Sequence, residues 1–135
     1  VLDGVYTENL TVDKAVSIIT SNAVVAGTSG SRDAAGGTGE VTIDGTVTIT
    51  AAGPVTMDGV RFLNSVAGGN TLTIGSGHDH QILNSIFYST VAGGPNGVGD
   101  RAISMGPLAT GNVTISGNYI TGNQTGLFDT ASWNR

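Results

Sequence analysis

The stretch Val113-Thr-Ile-Ser-Gly-Asn-Tyr-Ile-Thr-Gly-Asn123 contains two short runs in which apolar and polar residues alternate, each followed by a glycine. A similar stretch, Val55-Thr-Met-Asp-Gly-Val-Arg-Phe-Leu-Asn64, lies earlier in the chain. Alternation with a period of two places every second side chain on the same face, so each run predicts a β-strand with one buried face. The glycines and polar residues that follow predict tight turns between these short strands.

The same apolar-threonine-apolar unit recurs at Leu10–Val12, Val41–Ile43, Val47–Ile49 and Leu72–Ile74. Units of this kind align in ranks, meaning positions that repeat from one turn of the chain to the next. One rank joins Met57, Leu83 and Ile115 at spacings of 26 and 32 residues, and another joins Val47, Leu72 and Ile103 at spacings of 25 and 31. Repeats of this length with glycine-rich turns predict a solenoid in which each coil buries its apolar face against the next.

The composition narrows the fold class and the range of partners. Glycine supplies 22 of the 135 residues, charged residues make up only 11%, and cysteine is absent. These values exclude a helical bundle, a disulfide scaffold and a thiolate metal site, and they favour an all-β domain. Because five Lys and Arg face ten Asp and Glu, we expect no nucleic-acid partner. No apolar run approaches the ~20 residues of a membrane span, so we expect no membrane insertion.

The same composition predicts a secreted or cell-surface protein of bacterial type, since lysine is nearly absent and threonine, glycine and asparagine are abundant. The chain begins at Val1 rather than at methionine, which predicts a mature or excised product. Its length fits one domain. We therefore expect residues 1–135 to form a single β-helix domain that is either a segment of a longer solenoid or a filament subunit.

Two segments carry a resemblance to a known family. The opening Asp3-Gly-Val-Tyr-Thr-Glu-Asn-Leu-Thr-Val-Asp13 resembles the first coil of right-handed parallel β-helix proteins of the pectin-lyase-like type, and residues 112–123 resemble their later coils. Family-like segments cover most of the chain except residues 26–40 and 90–100. The resemblance implies an all-β fold, namely a right-handed single-stranded parallel β-helix (β-solenoid) with short strands and Gly-rich loops. The family includes pectate lyases, pectin esterases, epimerases, tailspikes and adhesins, so the fold implies no single activity.

Residues 26–40 and 90–100 interrupt the repeat and predict two long loops. Long loops on a rigid scaffold often carry function, and they are equally the places where sequence drift is tolerated. Neither stretch contains a cluster of ionisable groups, which favours the second interpretation.

The run Gly77-His-Asp-His80 is the most compact set of ionisable groups. On a strand, His78 and His80 would share one face and Asp79 the other, so the two imidazoles could bind zinc if a further ligand were nearby. The alternative interpretation is a polar turn between Ile74 and Ile82. The alternative is favoured because the sequence supplies no further ligand close by.

Polar residues also stand at matching places in the predicted bends, namely Asp13, Asp44, Asp58, Asn84 and Ser116. The acids could form a calcium ladder, or each could hydrogen-bond its own turn. The Asn and Ser members favour the second interpretation, so we expect no cofactor and regard calcium as unsupported. Asn118 is expected to point inward at such a bend and to hydrogen-bond its neighbours.

The ranks predict one outward stripe. If Met57, Leu83 and Ile115 point inward, the same should hold for Phe62, Tyr88 and Ile120. Residues Arg61, Phe87 and Tyr119 would then point outward, stacked ~4.8 Å apart on successive coils. Such a ladder could bind carbohydrate or a protein partner, or it could be ordinary packing between coils. The region around Gln81–Leu83 fits this register poorly, which points to a bulge there.

Hydroxyl-bearing residues also form ranks, with Thr48, Thr73 and Ser104 in one and Thr56 and Thr114 in another, where Ile82 stands between them. Ice or mineral binding needs flat and uniform ranks, and the unequal coil lengths argue against that role. Threonine is in any case a favourable outward residue on strands.

The acidic residues are spread singly along the chain, and the signature motifs of pectin esterases and alginate epimerases are absent. Glycosidases need paired carboxylates on one face. The sequence therefore favours a non-catalytic structural or adhesive module. The alternative is a polysaccharide-active enzyme (a lyase, esterase or epimerase) or a carbohydrate-binding fragment of one.

The last prediction concerns the two ends of the solenoid. The sequence shows no amphipathic helix before Leu10–Val12, and Trp133 alone would cover little of the last coil. An open coil exposes unpaired strand edges. We therefore expect either a longer solenoid or a homo-oligomer formed by end-to-end stacking. One continuous core is expected from Val47, Met57, Phe62, Leu72, Ile74, Leu83, Tyr88, Ile103, Met105, Ile115 and Ile120.

Overall fold

The computed structural model describes residues 2–29, 32, 39–64, 69–89, 101–121 and 125–129. Within these ranges the secondary structure consists of short strands and turns, without a helix. The predicted all-β class is therefore confirmed. The predicted loop at residues 90–100 and Trp133 lie outside the described residues.

The strands form three parallel sheets. The first sheet contains β1 (Gly4–Thr7), β4 (Val41–Asp44), β7 (Arg61–Asn64), β10 (Ile86–Ser89) and β13 (Tyr119–Thr121). The second contains β2 (Leu10–Val12), β5 (Val47–Ile49), β8 (Asn70–Gly77), β11 (Arg101–Ala109) and β14 (Thr125–Asp129). The third contains β3 (Val16–Ile19), β6 (Val55–Asp58), β9 (His80–Leu83) and β12 (Val113–Ser116).

The chain visits the three sheets in turn, so each circuit is one coil. The first circuit is β1, β2 and β3, which we call the N-terminal coil, and β4, β5 and β6 lie directly upon it. Every strand pair between coils is parallel, and the ladder continues to β13 and β14. This arrangement is a stack of parallel coils, consistent with a parallel β-helix.

The second sheet follows the predicted register. Val47 pairs with Leu72, which pairs with Ile103, and all three side chains are buried. The outward rank beside it joins Thr48, Thr73 and Ser104, as predicted. The register between neighbouring strands of this sheet holds without a bulge until β11, where it shifts between Met105 and Leu108.

The third sheet differs from the prediction by one residue. Met57 pairs with Ile82, and Ile82 pairs with Ile115, so Leu83 is not the inward residue. The reason is that β9 begins at His80 with an inward side chain, which places Ile82 inward and Leu83 outward. A shift of one residue reverses the face of every side chain.

The turn after β9 explains how the same shift reaches the first sheet. Asn84 adopts a left-handed conformation with φ of 48°, as Gly59 and Gly117 do at the equivalent turns, with φ of 80° and 69°. Asn84 therefore matches these glycines rather than Asp58 and Ser116. Asparagine tolerates this conformation better than other residues with a side chain. Strand β10 consequently begins one residue earlier in register than predicted.

The core is one cluster that runs through all the coils. Phe87 pairs with Phe62, and their rings stack with centroids 4.7 Å apart and planes 13° apart. The predictions of Leu83 and Tyr88 as core residues were wrong, since Ile82 and Phe87 take the inward positions, while Ile115 and Ile120 pack partly buried against the cluster. The buried members are Val12, Ile43, Val47, Ile49, Ala51, Val55, Met57, Val60, Phe62, Leu72, Ile74, Ile82, Phe87, Ala102, Ile103, Met105 and Ala109.

Candidate functional site

The predicted outward ladder of Arg61, Phe87 and Tyr119 does not form. Arg61 pairs with Ile86, and Ile86 pairs with Tyr119, so Ile86 occupies the middle place. Phe87 points into the core and is fully buried. The prediction was wrong because it aligned β10 one residue too far along the chain. This error assigned Phe87, which is an inward residue, to the outward face.

Arg61 stands in an outward rank of the first sheet but is buried. Only 3% of its surface is exposed, and Nη1 donates a hydrogen bond to Thr42 Oγ1 at 3.2 Å. Its guanidinium carbon lies 5.5 Å from the centroid of the Tyr88 ring, within cation–π range. The side chain therefore holds neighbouring coils together and leaves no guanidinium surface for a ligand.

His80 is also buried. Its Nδ1 accepts a hydrogen bond from the Val55 N–H at 3.1 Å, and Nε2 lies 2.8 Å from the Ser76 carbonyl oxygen. These partners assign the ring proton to Nε2, which donates to Ser76. With both nitrogens engaged and the ring fully buried, His80 has no lone pair to offer a metal.

His78 and Asp79 lie in the turn before β9, on the surface. His78 Nδ1 and Asp79 Oδ2 are 2.9 Å apart, and both side chains are more than half exposed. The structure agrees with the favoured interpretation of a polar turn, since Asp79 turns the chain with φ of 58° and His78 and His80 therefore do not share a strand face. Among the described residues, no group of three or more His, Asp or Glu side chains is placed to hold a metal ion.

Polar side chains in the turns form hydrogen bonds to neighbouring turns. Asp58 Oδ1 accepts from Asn84 Nδ2 at 2.9 Å, and from the Val24 N–H at 3.4 Å. Asn118 points inward as predicted: its Oδ1 accepts from the Ser85 N–H at 2.7 Å and its Nδ2 donates to the Ile82 carbonyl at 2.8 Å. Polar side chains at the bends therefore satisfy backbone groups between coils.

The connection between the N-terminal coil and β4 contains a feature that the sequence did not indicate. Residues 20–29, 32 and 39–40, which we call the strap, run along the outside of the stack. The Gly27 N–H donates to the Gly117 carbonyl at 2.8 Å, and Thr20 Oγ1 donates to the Gly59 carbonyl at 2.9 Å. The strap thus reaches the turns before β7 and β13.

Arg32 is the central residue of the strap. Its guanidinium forms a two-point ion pair with Glu40, through Nε–Oε1 at 2.7 Å and Nη2–Oε2 at 2.9 Å. The remaining N–H groups donate to the carbonyls of Val25 (2.8 Å), Asn84 (2.7 Å) and Gly59 (3.1 Å). Every guanidinium N–H therefore has an acceptor, which is what a buried arginine requires.

The outer face of the third sheet is open. Its outward rank joins Ser17, Thr56, Gln81 and Thr114. Gln81, not the predicted Ile82, lies between the two threonines. Ser17, Gln81 and Thr114 are exposed and Thr56 is half-buried, so this face presents a row of neutral hydroxyl and amide groups.

The N-terminal coil is the other open surface. Within the described residues, β1, β2 and β3 each pair on one side only, with β4, β5 and β6. Large apolar side chains are exposed along it, namely Leu2, Val5, Tyr6, Val16 and Ile19. Free strand edges beside exposed apolar side chains are the features of a surface that another strand can join.

The described part of the chain includes no helix able to span a membrane. Comparison with models of known protein families, with curated proteins and with solved structures found no match.

Proposed function

We propose that this chain is a non-catalytic structural or adhesive β-solenoid module of a secreted or cell-surface protein, and that it acts by joining other coils. The observation that carries the proposal is the N-terminal coil, whose three strand edges and apolar side chains are uncovered in the described structure. Behind it, the packed core and the strap form a stiff support. A stiff stack with an adhesive end is suited to extension rather than to chemistry.

We also propose that the coils wind in a right-handed sense, as in pectin-lyase-like proteins. Connections between parallel strands of one sheet are right-handed in about 98% of cases, because the twist of the strands favours that hand. The polar bend residues that bond from turn to turn support the same family resemblance.

The arrangement of ionisable groups supports a non-catalytic role. Arg32 and Glu40 are buried against each other, both nitrogens of His80 are engaged, and Asp58 is bonded to Asn84. General acid–base catalysis needs a titratable group within reach of substrate. These four groups are engaged within the fold, whereas His78 and Asp79 are exposed and paired with each other.

An activity screen tests this proposal against the enzymatic alternative. The chain is incubated with pectin, polygalacturonate and alginate, with and without calcium, and the release of unsaturated uronate, methanol or epimerised product is measured. We expect no turnover above buffer. Turnover that persists in a sample purified to constant specific activity would overturn the proposal and favour a lyase, esterase or epimerase.

The open third sheet favours a second candidate function, the binding of a neutral polysaccharide. Rows of hydroxyl and amide groups can exchange hydrogen bonds with sugar hydroxyls without a charge to desolvate. Ser17, Gln81 and Thr114 offer such groups on an exposed face.

Co-sedimentation with insoluble neutral polysaccharides tests this second function. If the third sheet binds, the double variant Gln81→Ala/Thr114→Ala should sediment less than the parent chain. Thr11→Ala, which alters an exposed threonine on the second sheet, is the matched control and should behave as the parent. Equal sedimentation of all three proteins, or none by any, would reject the third sheet as a binding face.

A further inference from the structure

The core of the stack is open at the N-terminal coil. Tyr6 and Val16 stand in inward ranks, since their partners one coil further on are the buried Ile43 and Val55. The two side chains are nevertheless 38% and 43% exposed. Within the described structure they therefore lie at an uncovered end of the core, where one further coil would bury them.

The backbone of β1 is free on its outer side. The Gly4 N–H donates to the Glu40 carbonyl of the next coil at 3.1 Å. Because successive residues of a strand direct their N–H and C=O groups to opposite sides, those of Val5 face away from the stack. In the described ranges β1 pairs with β4 alone. An added strand can therefore form backbone hydrogen bonds here.

Each turn of the N-terminal coil carries a carboxylate. Asp3 precedes β1, Glu8 lies between β1 and β2, and Asp13 lies between β2 and β3, and all three are exposed. Asp3 accepts from Ser21 Oγ at 2.8 Å, a neutral donor that leaves its charge in place. Lys14 is the only cation of this coil, so the rim of the open surface is negative.

This charge belongs to the N-terminal coil and does not repeat in the coil beneath it. The register places Gly45 beside Glu8 and Thr50 beside Asp13, and both of these partners are neutral. At the third turn the next coil has Glu40, whose charge is paired with a buried arginine. The unpaired carboxylates are therefore concentrated where the core and the strand edges are open.

The charge also bears on what could cover this surface. Two N-terminal coils face to face would bring carboxylates together, which is unfavourable. Other surfaces of the chain offer few cations: in the described ranges outside this coil, Arg32 and Arg61 are buried and Arg101 is half-buried. Charge complementarity therefore favours a different polypeptide, one with exposed lysine or arginine.

We propose that the N-terminal coil binds a cationic polypeptide other than this chain, which adds one coil of parallel strands to the stack. Apolar residues of the partner cover Tyr6 and Val16, and its lysine or arginine side chains lie opposite Glu8 and Asp13. Backbone pairing and apolar burial supply affinity, while the charges supply specificity and speed of association. The proposal rests on the proposed joining function and names the chemistry of the partner.

Two synthetic peptides test the proposal. Both repeat residues 40–58, the coil on which the N-terminal coil stacks; one carries Glu40→Lys/Thr46→Lys/Thr50→Lys and the other Thr46→Glu/Thr50→Glu. Calorimetric titration of the full chain should show the lysine peptide binding at least about tenfold more tightly than the glutamate peptide, with a preference that shrinks as salt is added. Binding should slow amide hydrogen exchange in β1 and β3.

A charge-neutralised variant places the preference on the N-terminal coil. Glu8→Gln/Asp13→Asn should bind the two peptides with nearly equal affinity. Asp79→Asn is the matched control, because Asp79 is an exposed carboxylate in a turn of a later coil and asparagine tolerates its positive φ. This control should keep the preference of the parent, and circular dichroism shows whether each variant is folded.

Four outcomes would overturn the proposal. Equal binding of both peptides by the parent removes the charge preference and leaves the joining of coils intact. Loss of the preference in Asp79→Asn shows that overall charge sets it. Binding of neither peptide removes the proposed contact, and self-association of the parent in sedimentation velocity identifies a second copy as the occupant. Turnover in the polysaccharide screen, by contrast, defeats the proposed function.

Discussion

Arg32 joins parts of the chain that are distant in sequence. Its guanidinium bonds to Glu40 and to the carbonyls of Gly59 and Asn84, the latter 52 residues away. Both charged side chains are almost wholly buried, at 0% and 3% exposure. A buried ion pair adds little net stability compared with apolar residues, but each partner depends on the other.

Removing one partner of the ion pair should therefore lower the free energy of unfolding much more than removing both. Arg32→Met leaves the Glu40 carboxylate buried without its cationic partner, with Asn22 Nδ2 still donating to it at 3.1 Å, and is expected to lower the free energy of unfolding by about 3–5 kcal/mol. The double variant Arg32→Met/Glu40→Leu should recover a large part of that loss. Urea denaturation of the three proteins measures the difference, and equal destabilisation by the single and double variants would contradict the role given to the ion pair.

Phe87 and Tyr88 test the register of the first sheet. Phe87 stacks on Phe62 in the core, whereas Tyr88 is half-buried beside Arg61. Phe87→Ala should cost about 3–5 kcal/mol of unfolding free energy, as large-to-small changes of buried aromatic residues do. Tyr88→Ala is the matched change at the neighbouring position and should cost clearly less. The reverse order in thermal and urea denaturation would restore the register predicted from the sequence.

At the scale of elements, the strap is the part of the fold that ties several coils together. Its contacts reach the turn before β7 through Thr20, the turn before β10 through Arg32 and the turn before β13 through Gly27. Gly27 fits closely against the last two turns. A Cβ atom placed there would lie within 2.9 Å of the Tyr119 nitrogen and still closer to the Ser85 carbonyl oxygen.

Gly27→Ala should therefore lift the strap away from these turns, since backbone atoms cannot move aside cheaply. We expect faster amide hydrogen exchange at residues 22–27 and a loss of about 1–3 kcal/mol of stability, in the range of overpacking changes. Gly53→Ala is the matched control, because its new Cβ would meet only the Ala15 Cβ, at 3.3 Å. Unchanged exchange in the strap of the Gly27 variant would show that the strap does not rest on the turns.

At the scale of the whole molecule, the coils interact with their immediate neighbours along one axis. Met57 is fully buried in a coil that has neighbours on both sides. Ile115 lies in the same rank but on β12, which within the described ranges pairs with β9 alone, and it is half-buried. In a stack of this type, stability depends on interfaces between adjacent repeats, so damage at an end is more local than damage in the middle.

The same substitution in these two places should consequently give different results. Met57→Asp buries a carboxylate without a partner and should unfold the chain, since the cost amounts to several kcal/mol. Ile115→Asp should loosen β12 and β13 while the earlier coils keep their protection from hydrogen exchange. Global unfolding by both variants, or by neither, would contradict the position-dependent stability argued for this stack.

The alternating pattern was enough to predict the strands, their one-sided burial and the stacking of coils, because alternation with a period of two is a local property of a strand. It also identified the rank Val47, Leu72 and Ile103 and the inward Asn118 correctly. The pattern misled in two places. At His80 the inward residue is polar, and at Asn84 a left-handed turn position is not glycine, so the predicted register was wrong by one residue. That shift misplaced Phe87 and the proposed ladder.

Which side chains are covered depends on contacts between coils and with the strap, which the local sequence does not show. The first sheet's outward residues Thr42 and Ile86 are buried, and nothing in their local sequence indicates this. Arg32 lies in the stretch 26–40, whose sequence indicated no functional cluster, and only the fold brings the Gly59 and Asn84 carbonyls to it. Alternation depends on residues two positions apart, but a buried guanidinium depends on acceptors supplied by distant coils, and only the stacked chain brings those acceptors together.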